Sequence, residues 1–224
     1  MSPETANPTR GALAEHFESY AQQREASSLG MWLFLVTEVM LFGGFFLAYI
    51  IYRSRWPQDF AAASHELDVW LGGTNTVILI ASSLTMALAV RSAQLARRKA
   101  TVLFLLFTLL FGLGFLGIKA VEYQEKFAHH LVPGPHFELH GDADPRHAEM
   151  FFSLYFGMTG LHAAHMVIGA GLVAWLMIPA WKGRFDAEYH NPVEVVGLYW
   201  HFVDIIWIFL FPLLYLIGFH VKGH

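Results

Sequence analysis

Five apolar runs, each close to the length that a membrane-spanning helix needs, dominate this sequence. A helix crosses a hydrocarbon core of ~30 Å with ~20 residues. Backbone groups in lipid must be satisfied within the segment, so each run is predicted to be helical. The sequence therefore predicts an all-α, polytopic membrane protein, a bundle of five transmembrane helices. The runs cover residues 29–52, 69–90, 101–118, 150–180 and 193–219.

Composition excludes several classes of function. The 224 residues are 55% hydrophobic and 14% charged, whereas soluble domains are about a quarter charged. A net charge of -4 with no basic stripe argues against nucleic acid as a partner. The absence of cysteine rules out disulfides, thiolate metal sites and thiol catalysis.

The polar segments set the expected orientation. Residues 1–28 form a polar tail without the pattern of a signal peptide, and residues 220–224 form a short second tail. The basic cluster RSAQLARRK (residues 91–99) in a short loop is the strongest orientation signal, because such loops face the cytoplasm. We expect a cytoplasmic N-terminus and an external C-terminus.

The longest connection, residues 119–149, is then external and rich in histidine. Its histidines lack the fixed helical spacing of a zinc site, so a solvated loop is the preferred interpretation and no metal is assigned. Lys119 and Glu122, at the outer end of the third run, are predicted to pair at i, i+3. The loop histidines are His129, His130, His136, His140 and His147.

Ionisable residues inside the runs form a predicted polar layer. An intramembrane carboxylate such as Glu38 is expensive and needs a partner, a proton or a function. From the helical rise, Glu38 and His201 lie about 13 and 12 Å from the cytoplasmic edge. All five residues of the layer fall in the inner half of the membrane, and two i, i+3 pairs occur among them. The layer comprises Glu38, His162, His165, His201 and Asp204.

Three interpretations of this layer remain open. The polar residues can satisfy one another between helices, which is the preferred interpretation. They can stage a proton, since a carboxylate one turn from an imidazole fixes its tautomer. Three intramembrane imidazoles can also hold a metal or haem, although the Glu-x-x-His repeats of di-iron bundles are absent.

Four motifs in order carry a resemblance to a known family. They are GMWLFLVTEVMLFGGFF (30–46), NTVILIASS (75–83), LYFGMTGLHAAHMVIG (154–169) and YWHFVDIIWIFLF (199–211). Through them the chain resembles subunit III of the haem–copper cytochrome c oxidases, in its five-helix bacterial form. The resemblance covers about residues 30–219.

The resemblance implies an accessory subunit of a proton-pumping terminal oxidase in the bacterial inner membrane. Such a subunit carries no haem or copper, packs on subunit I beside subunits II and IV, binds phospholipid and supports proton uptake. Glu38 matches the family's intramembrane glutamate. Candidates for lipid binding or subunit packing are Trp32, Asn75, Tyr199, Trp200 and Trp207.

The sequence also departs from the family. Longer members have two further N-terminal helices where this chain has a polar tail, and many have a neutral residue at the position of Lys119. Quinol oxidases use a five-helix subunit III as well, so the electron donor stays open. Alternatives are an accessory subunit of a nitric oxide reductase system, a freestanding proton carrier, and a membrane metalloenzyme using His162, His165 and His201.

Overall fold

The computed structural model describes residues 17–135, 137, 144–186 and 189–218, and every element within these ranges is a helix. The tail residues 1–16 and 220–224, with His136 and His140 of the connecting loop, lie outside the described residues. Five of the six described helices are long and apolar enough to cross a membrane. The helices are α1 (Tyr20–Arg55), α2 (Pro57–Ser64), α3 (Val69–Gln94), α4 (Arg98–Ala128), α5 (Pro145–Trp181) and α6 (Asn191–Tyr215).

Local chemistry explains where the spans begin. The Asp68 carboxylate accepts hydrogen bonds from the backbone amides of Trp70 and Leu71, and thereby caps α3. Asp144 caps α5 through the amide of Arg146, and Pro145 occupies the first helical position. Side-chain caps and an initial proline satisfy or remove amides that have no partner inside a helix. These helices therefore start at definite residues.

The start of α1 and the end of α4 differ most from the sequence prediction. Helix α4 continues to Ala128 instead of ending at residue 118, so much of the predicted external loop 119–149 is helical. Helix α1 begins at Tyr20 rather than at residue 29, within the predicted polar tail. Hydropathy marks only the part of a helix that faces lipid, whereas helical hydrogen bonding continues through polar turns. The predicted runs were therefore too short at these ends.

Helix α6 lies at the centre of the bundle and contacts α1, α3 and α5. A three-residue turn joins α3 to α4, which pack as a close antiparallel hairpin. Helix α1 contacts α5 and α6 and is the least buried span. The short helix α2 is fastened to α5, where His147 Nδ1 lies 2.6 Å from Asp59 Oδ2 and the His147 ring stacks on Trp56.

The indole of Trp200 fills the space where α4, α5 and α6 meet. A Cβ atom added to Gly112 would lie 2.7 Å from Trp200 Cη2, and one added to Gly169 would lie 3.1 Å from the same ring. The indole nitrogen donates to Ser82 Oγ at 3.0 Å. Small residues therefore let three backbones approach one large buried ring, the packing typical of membrane helices.

Candidate functional sites in the membrane core

Glu38 pairs with His165 between α1 and α5. Glu38 Oε2 lies 3.0 Å from His165 Nε2, and the two side chains are only 13% and 11% exposed. The other ring nitrogen, Nδ1, lies 2.8 Å from the Leu161 carbonyl oxygen, one turn earlier in α5. The carboxyl group of Glu38, although it lies within a hydrophobic motif, therefore contacts a histidine and does not face only lipid.

This geometry determines the position of the proton on His165 Nδ1, whereas the proton between His165 Nε2 and Glu38 Oε2 can lie on either atom. A carbonyl oxygen only accepts, so His165 Nδ1 carries hydrogen and donates to Leu161. The Glu38–His165 hydrogen bond then contains either a protonated Glu38 donating to neutral His165, or a protonated His165 donating to the Glu38 carboxylate. The pair is neutral overall in both arrangements, which suits its place in the membrane.

Aromatic rings enclose the imidazole of His165. The Phe42 ring centroid lies 5.6 Å from it, and Tyr199 stacks on it at 6.4 Å. The Tyr199 hydroxyl donates to the backbone carbonyl of His165 at 3.0 Å. Tyr199 therefore connects α6 to the Glu38–His165 pair. It is one of the candidates for lipid binding or subunit packing, and in the structure its ring and hydroxyl contact His165 within this chain.

The second polar site joins α3 to α6. Ser83 Oγ lies 2.7 Å from His201 Nδ1. Asp204, one turn from His201, makes no hydrogen bond through either carboxylate oxygen within the described residues. The predicted contact between His201 and Asp204 is therefore not formed among the described residues, and the imidazole instead contacts Ser83 on the neighbouring helix through Nδ1. Without an aspartate on the imidazole, the three residues also lack the hydrogen-bond chain of a Ser-His-Asp catalytic triad.

His162 occupies a third, separate environment. It is fully buried, its ring lies 5.3 Å from both Phe115 and Trp207, and neither nitrogen has a hydrogen-bond partner among the described residues. Although His162 and His165 share a face of α5, only His165 reaches a carboxylate. The structure therefore places four of the five residues of the predicted layer in two separate sites, Glu38 with His165 and His201 beside Asp204, and leaves His162 among aromatic rings.

Lys119 and Glu122 form a buried ion pair inside the bundle. Lys119 Nζ lies 3.0 Å from Glu122 Oε2, and the side chains are only 4% and 0% exposed. The lysine also donates to the hydroxyls of Tyr155 at 3.2 Å and Tyr215 at 2.8 Å. These contacts use all three donors of the ammonium group.

The two tyrosines complete the pair from α5 and α6. The hydroxyls of Tyr155 and Tyr215 both donate to Glu122 Oε1, at 2.8 and 2.5 Å. The rings of Tyr155 and Trp207 lie 5.0 and 5.1 Å from the lysine nitrogen, within the range of cation–π attraction. Three helices therefore share one neutral network, in which each charge has several partners.

The remaining predicted site residues have different environments. Trp32 is 56% exposed on α1, whereas Asn75 and Trp207 are fully buried. The indole of Trp207 donates to Thr76 Oγ1 at 3.1 Å, and the Asn75 amide has no hydrogen-bond partner within the described ranges. Trp200 and Trp207 thus pack inside this chain. Among the residues described, no group of three or more His, Asp or Glu side chains is placed to hold a metal ion.

Sequence reasoning missed Ser83, Tyr155 and Tyr215. Ser83 closes the NTVILIASS motif, and Tyr155 stands in the third motif, but neither motif indicates a partner on another helix. Tyr215 lies in an aromatic run that indicates only packing. The one available signal was the charge of Lys119 and Glu122, because buried charges require further hydrogen-bonding groups.

These features define a polytopic membrane protein whose intramembrane charges are mostly neutralised within the helix bundle. The family model described as cytochrome c oxidase subunit III matches residues 14–219. The chain belongs to this family, the third subunits of haem–copper oxidases.

Relatives include subunits of oxidases with different electron donors. The chain is 30% identical over 210 residues to the cytochrome c oxidase subunit 3 of Alkalihalophilus pseudofirmus, covering 94% of this chain and 96% of that protein. It is 29% identical over 211 residues to the quinol oxidase subunit 3 of Bacillus subtilis, covering 92% and 97%. It is 34% identical over 192 residues to the cytochrome c oxidase subunit 3 of a Synechocystis strain, covering 84% and 74%.

Proposed function

We propose that this chain is a non-redox accessory subunit of a bacterial proton-pumping oxidase, which stabilises the catalytic subunit I and supports proton uptake. The observation that carries the proposal is the Glu38–His165 pair, a carboxyl and an imidazole whose Oε2 and Nε2 atoms lie 3.0 Å apart. Such a pair can exchange a proton without leaving a net charge in the membrane. It supports a role in tuning proton supply rather than in electron transfer.

The stabilising role is supported by the buried network of Lys119, Glu122, Tyr155 and Tyr215. It ties α4, α5 and α6 into one unit. A rigid bundle can hold subunit I in its working conformation over many turnovers. Subunit I is the proposed direct partner, with subunits II and IV in the same complex and haem and copper in those partners.

A basic groove between α4 and α5 supports the proposed phospholipid binding. Arg98 and Lys99 lie at its polar end, Trp181 lies on its rim, and Val102, Leu103 and Leu106 line its apolar part. An anionic head group can bind the two cations while an acyl chain follows the apolar residues. Tryptophan at this level is typical of the membrane interface.

The basic residues also support a cytoplasmic N-terminus in the bacterial inner membrane. Arg91, Arg97, Arg98 and Lys99 lie around the turn between α3 and α4. The Arg98 side chain approaches Gly183, beside Lys182 and Arg184 after α5. The densest cluster of basic residues therefore lies in and around one short turn, and basic residues in short loops favour the cytoplasmic side of the membrane.

The proposal is tested by purifying the oxidase with and without this chain from native membranes. We expect the complex without the chain to begin turnover normally, with cytochrome c or quinol as donor, and then to lose activity sooner. We also expect co-purified phospholipid to fall when Arg98 and Lys99 are both replaced by Gln. A complex that turns over for as long without the chain would contradict the stabilising role.

A further inference from the structure

Asp204 is a buried carboxylate on α6 that no described residue of this chain satisfies. Its side chain lines a groove between α3 and α6, and both carboxylate oxygens are buried without a hydrogen bond in the described part of the chain. The Ser83 hydroxyl lines the same groove beside Asp204, and it lies 2.7 Å from His201 Nδ1. A buried carboxyl without a partner costs free energy in either protonation state, so something outside this chain is expected to satisfy it.

The depth of Asp204 restricts what the occupant can be. Asp204 lies 13 residues after Asn191 and 11 before Tyr215, which is about 20 and 16 Å from the two ends of α6. It therefore sits near the middle of the span, where lipid offers acyl chains and no polar atoms. A second transmembrane helix can carry a polar side chain to this depth, and such side chains hydrogen-bond between helices in membranes.

The rim of the groove has the character of a helix-packing surface. Ile80, Leu84, Ile205 and Ile208 surround the polar residues and are exposed at the surface of this chain. His201 adds a second polar group, since Ser83 contacts its Nδ1 and no residue in the described part of the chain hydrogen-bonds to its Nε2. The groove therefore offers an apolar rim, a carboxyl group and the Nε2 atom of an imidazole to one occupant.

We propose that this groove, lined by Ile80, Ser83, Leu84, His201, Asp204 and Ile208, is the docking surface for a transmembrane helix of another oxidase subunit. On docking, a change of the Asp204 rotamer turns its buried carboxylate toward a hydrogen-bond donor of that helix, such as a hydroxyl, amide, indole or cationic group. The proposal rests on the proposed function, which supplies the partner subunits. The docking proposal specifies in addition which face of the bundle contacts a partner subunit and which residue anchors that contact.

Site-directed photo-crosslinking tests the surface directly, because the chain contains no cysteine that would need removal. Leu84→Cys and Ile208→Cys place a photoreactive maleimide on the rim of the groove, and Ile168→Cys on the exposed side of α5 is the matched control. After irradiation of native membranes, we expect both groove positions to form adducts with the same oxidase subunit, in higher yield than the control. Adducts with lipid, with a quinone or with a second copy of this chain would overturn the proposal.

Co-purification separates this inference from the function on which it rests. If the chain co-purifies with the oxidase but the groove labels only lipid, the docking surface is wrong and the accessory function stands. If the chain does not co-purify with any oxidase subunit, both proposals fail.

Substitutions of Asp204 test the anchor itself within the assembled complex. We expect Asp204→Leu to increase loss of the chain from the complex in mild detergent by about 3- to 15-fold, the effect of one hydrogen bond between membrane helices. Asp204→Asn keeps a hydrogen-bonding group, and Ile208→Leu keeps the rim apolar, so both should stay close to the wild type. Equal retention of the Asp204→Leu chain would overturn the anchor. The crosslinking positions leave Asp204 unchanged and test the surface even if Asp204→Leu fails to fold.

Discussion

His165 holds Glu38 through the one ring nitrogen that the α5 backbone leaves free. Nδ1 donates to the Leu161 carbonyl at 2.8 Å, and Nε2 lies 3.0 Å from Glu38 Oε2. The backbone of α5 thus determines which nitrogen faces the carboxyl group. A glutamate in the middle of an apolar helix is tolerated because its partner removes the net charge, whichever of the two holds the proton.

The first prediction concerns the proton in this pair. Glu38→Gln keeps a side chain of the same shape, whose amide can donate to His165 Nε2, so we expect the oxidase to assemble with the chain present. Glu38→Leu leaves the ring nitrogen unpaired, and we expect it to destabilise the chain by about 1–3 kcal/mol. Thermal denaturation of the purified complex measures the difference between the two variants.

A measurement of proton uptake distinguishes the role of Glu38 in proton exchange from its role in stabilising the chain. We expect the Glu38→Gln complex to assemble fully and to take up protons more slowly during turnover, because the amide cannot exchange a proton. Dissociation of the Glu38→Gln chain from the complex would show instead that the carboxylate charge is required for assembly.

The second prediction concerns the buried ion pair. Lys119→Met leaves the Glu122 carboxylate buried with only two tyrosine hydroxyls, so we expect a loss of about 3–5 kcal/mol. Lys119→Met combined with Glu122→Leu removes both charges, and we expect it to cost less than the sum of the single changes. Unfolding of the purified complex in increasing denaturing detergent measures each variant.

The exposed Lys182 provides the control for this comparison. Lys182→Met removes the same charge from the exposed end of α5, and we expect a change within about 0.5 kcal/mol. If Lys119→Met is as mild as Lys182→Met, the network of Lys119, Glu122, Tyr155 and Tyr215 does not stabilise the bundle.

The third prediction concerns the close approach of α4 to Trp200. A Cβ at Gly112 would lie 2.7 Å from Trp200 Cη2, whereas a Cβ at Gly114 meets nothing within 4 Å. We expect Gly112→Ala to destabilise the chain by about 1–3 kcal/mol, because the buried indole has no free space to enter. Gly114→Ala is the matched control on the same helix and should be neutral or slightly stabilising, since alanine favours helix. Equal thermal stability of the two variants would contradict the packing of Trp200.

The sequence predicted the features that depend on local composition. A run of ~20 predominantly apolar residues indicates a transmembrane helix wherever it occurs, so the number and order of these helices could be predicted from the sequence. The C-terminal end of α4 could not be predicted in this way. Charged residues such as Lys119 and Glu122 normally mark the end of a transmembrane helix, and the sequence does not show the partners that let them be buried. Helix α4 in fact carries them into the bundle and continues to Ala128.

The partners of the polar residues could not be predicted, because they are distant in sequence. The hydroxyls of Tyr155 and Tyr215 are 36 and 96 positions from Lys119. Spacing placed Asp204 one turn from His201, yet Ser83, 118 positions away, occupies the ring nitrogen. Helical spacing shows which residues share a face, whereas the packing of other helices against that face decides which of them interact.

The last prediction compares two histidines one turn apart on α5. His162 is fully buried and neither ring nitrogen has a hydrogen-bond partner among the described residues, whereas His165 binds Glu38. We expect His162→Leu to change the stability of the complex by no more than about 1 kcal/mol, because it replaces an unsatisfied polar ring with an apolar side chain of similar size.

His165→Leu is the matched variant, and we expect it to cost about 1–3 kcal/mol because the Glu38 carboxyl loses its partner. Thermal denaturation of the two complexes side by side measures the contrast. A large loss with His162→Leu would show that the ring binds a group that the isolated chain lacks, such as a buried water molecule or a metal ion. Metal analysis of the purified complex would then distinguish these two, since only a metal site at His162 loses bound metal with His162→Leu.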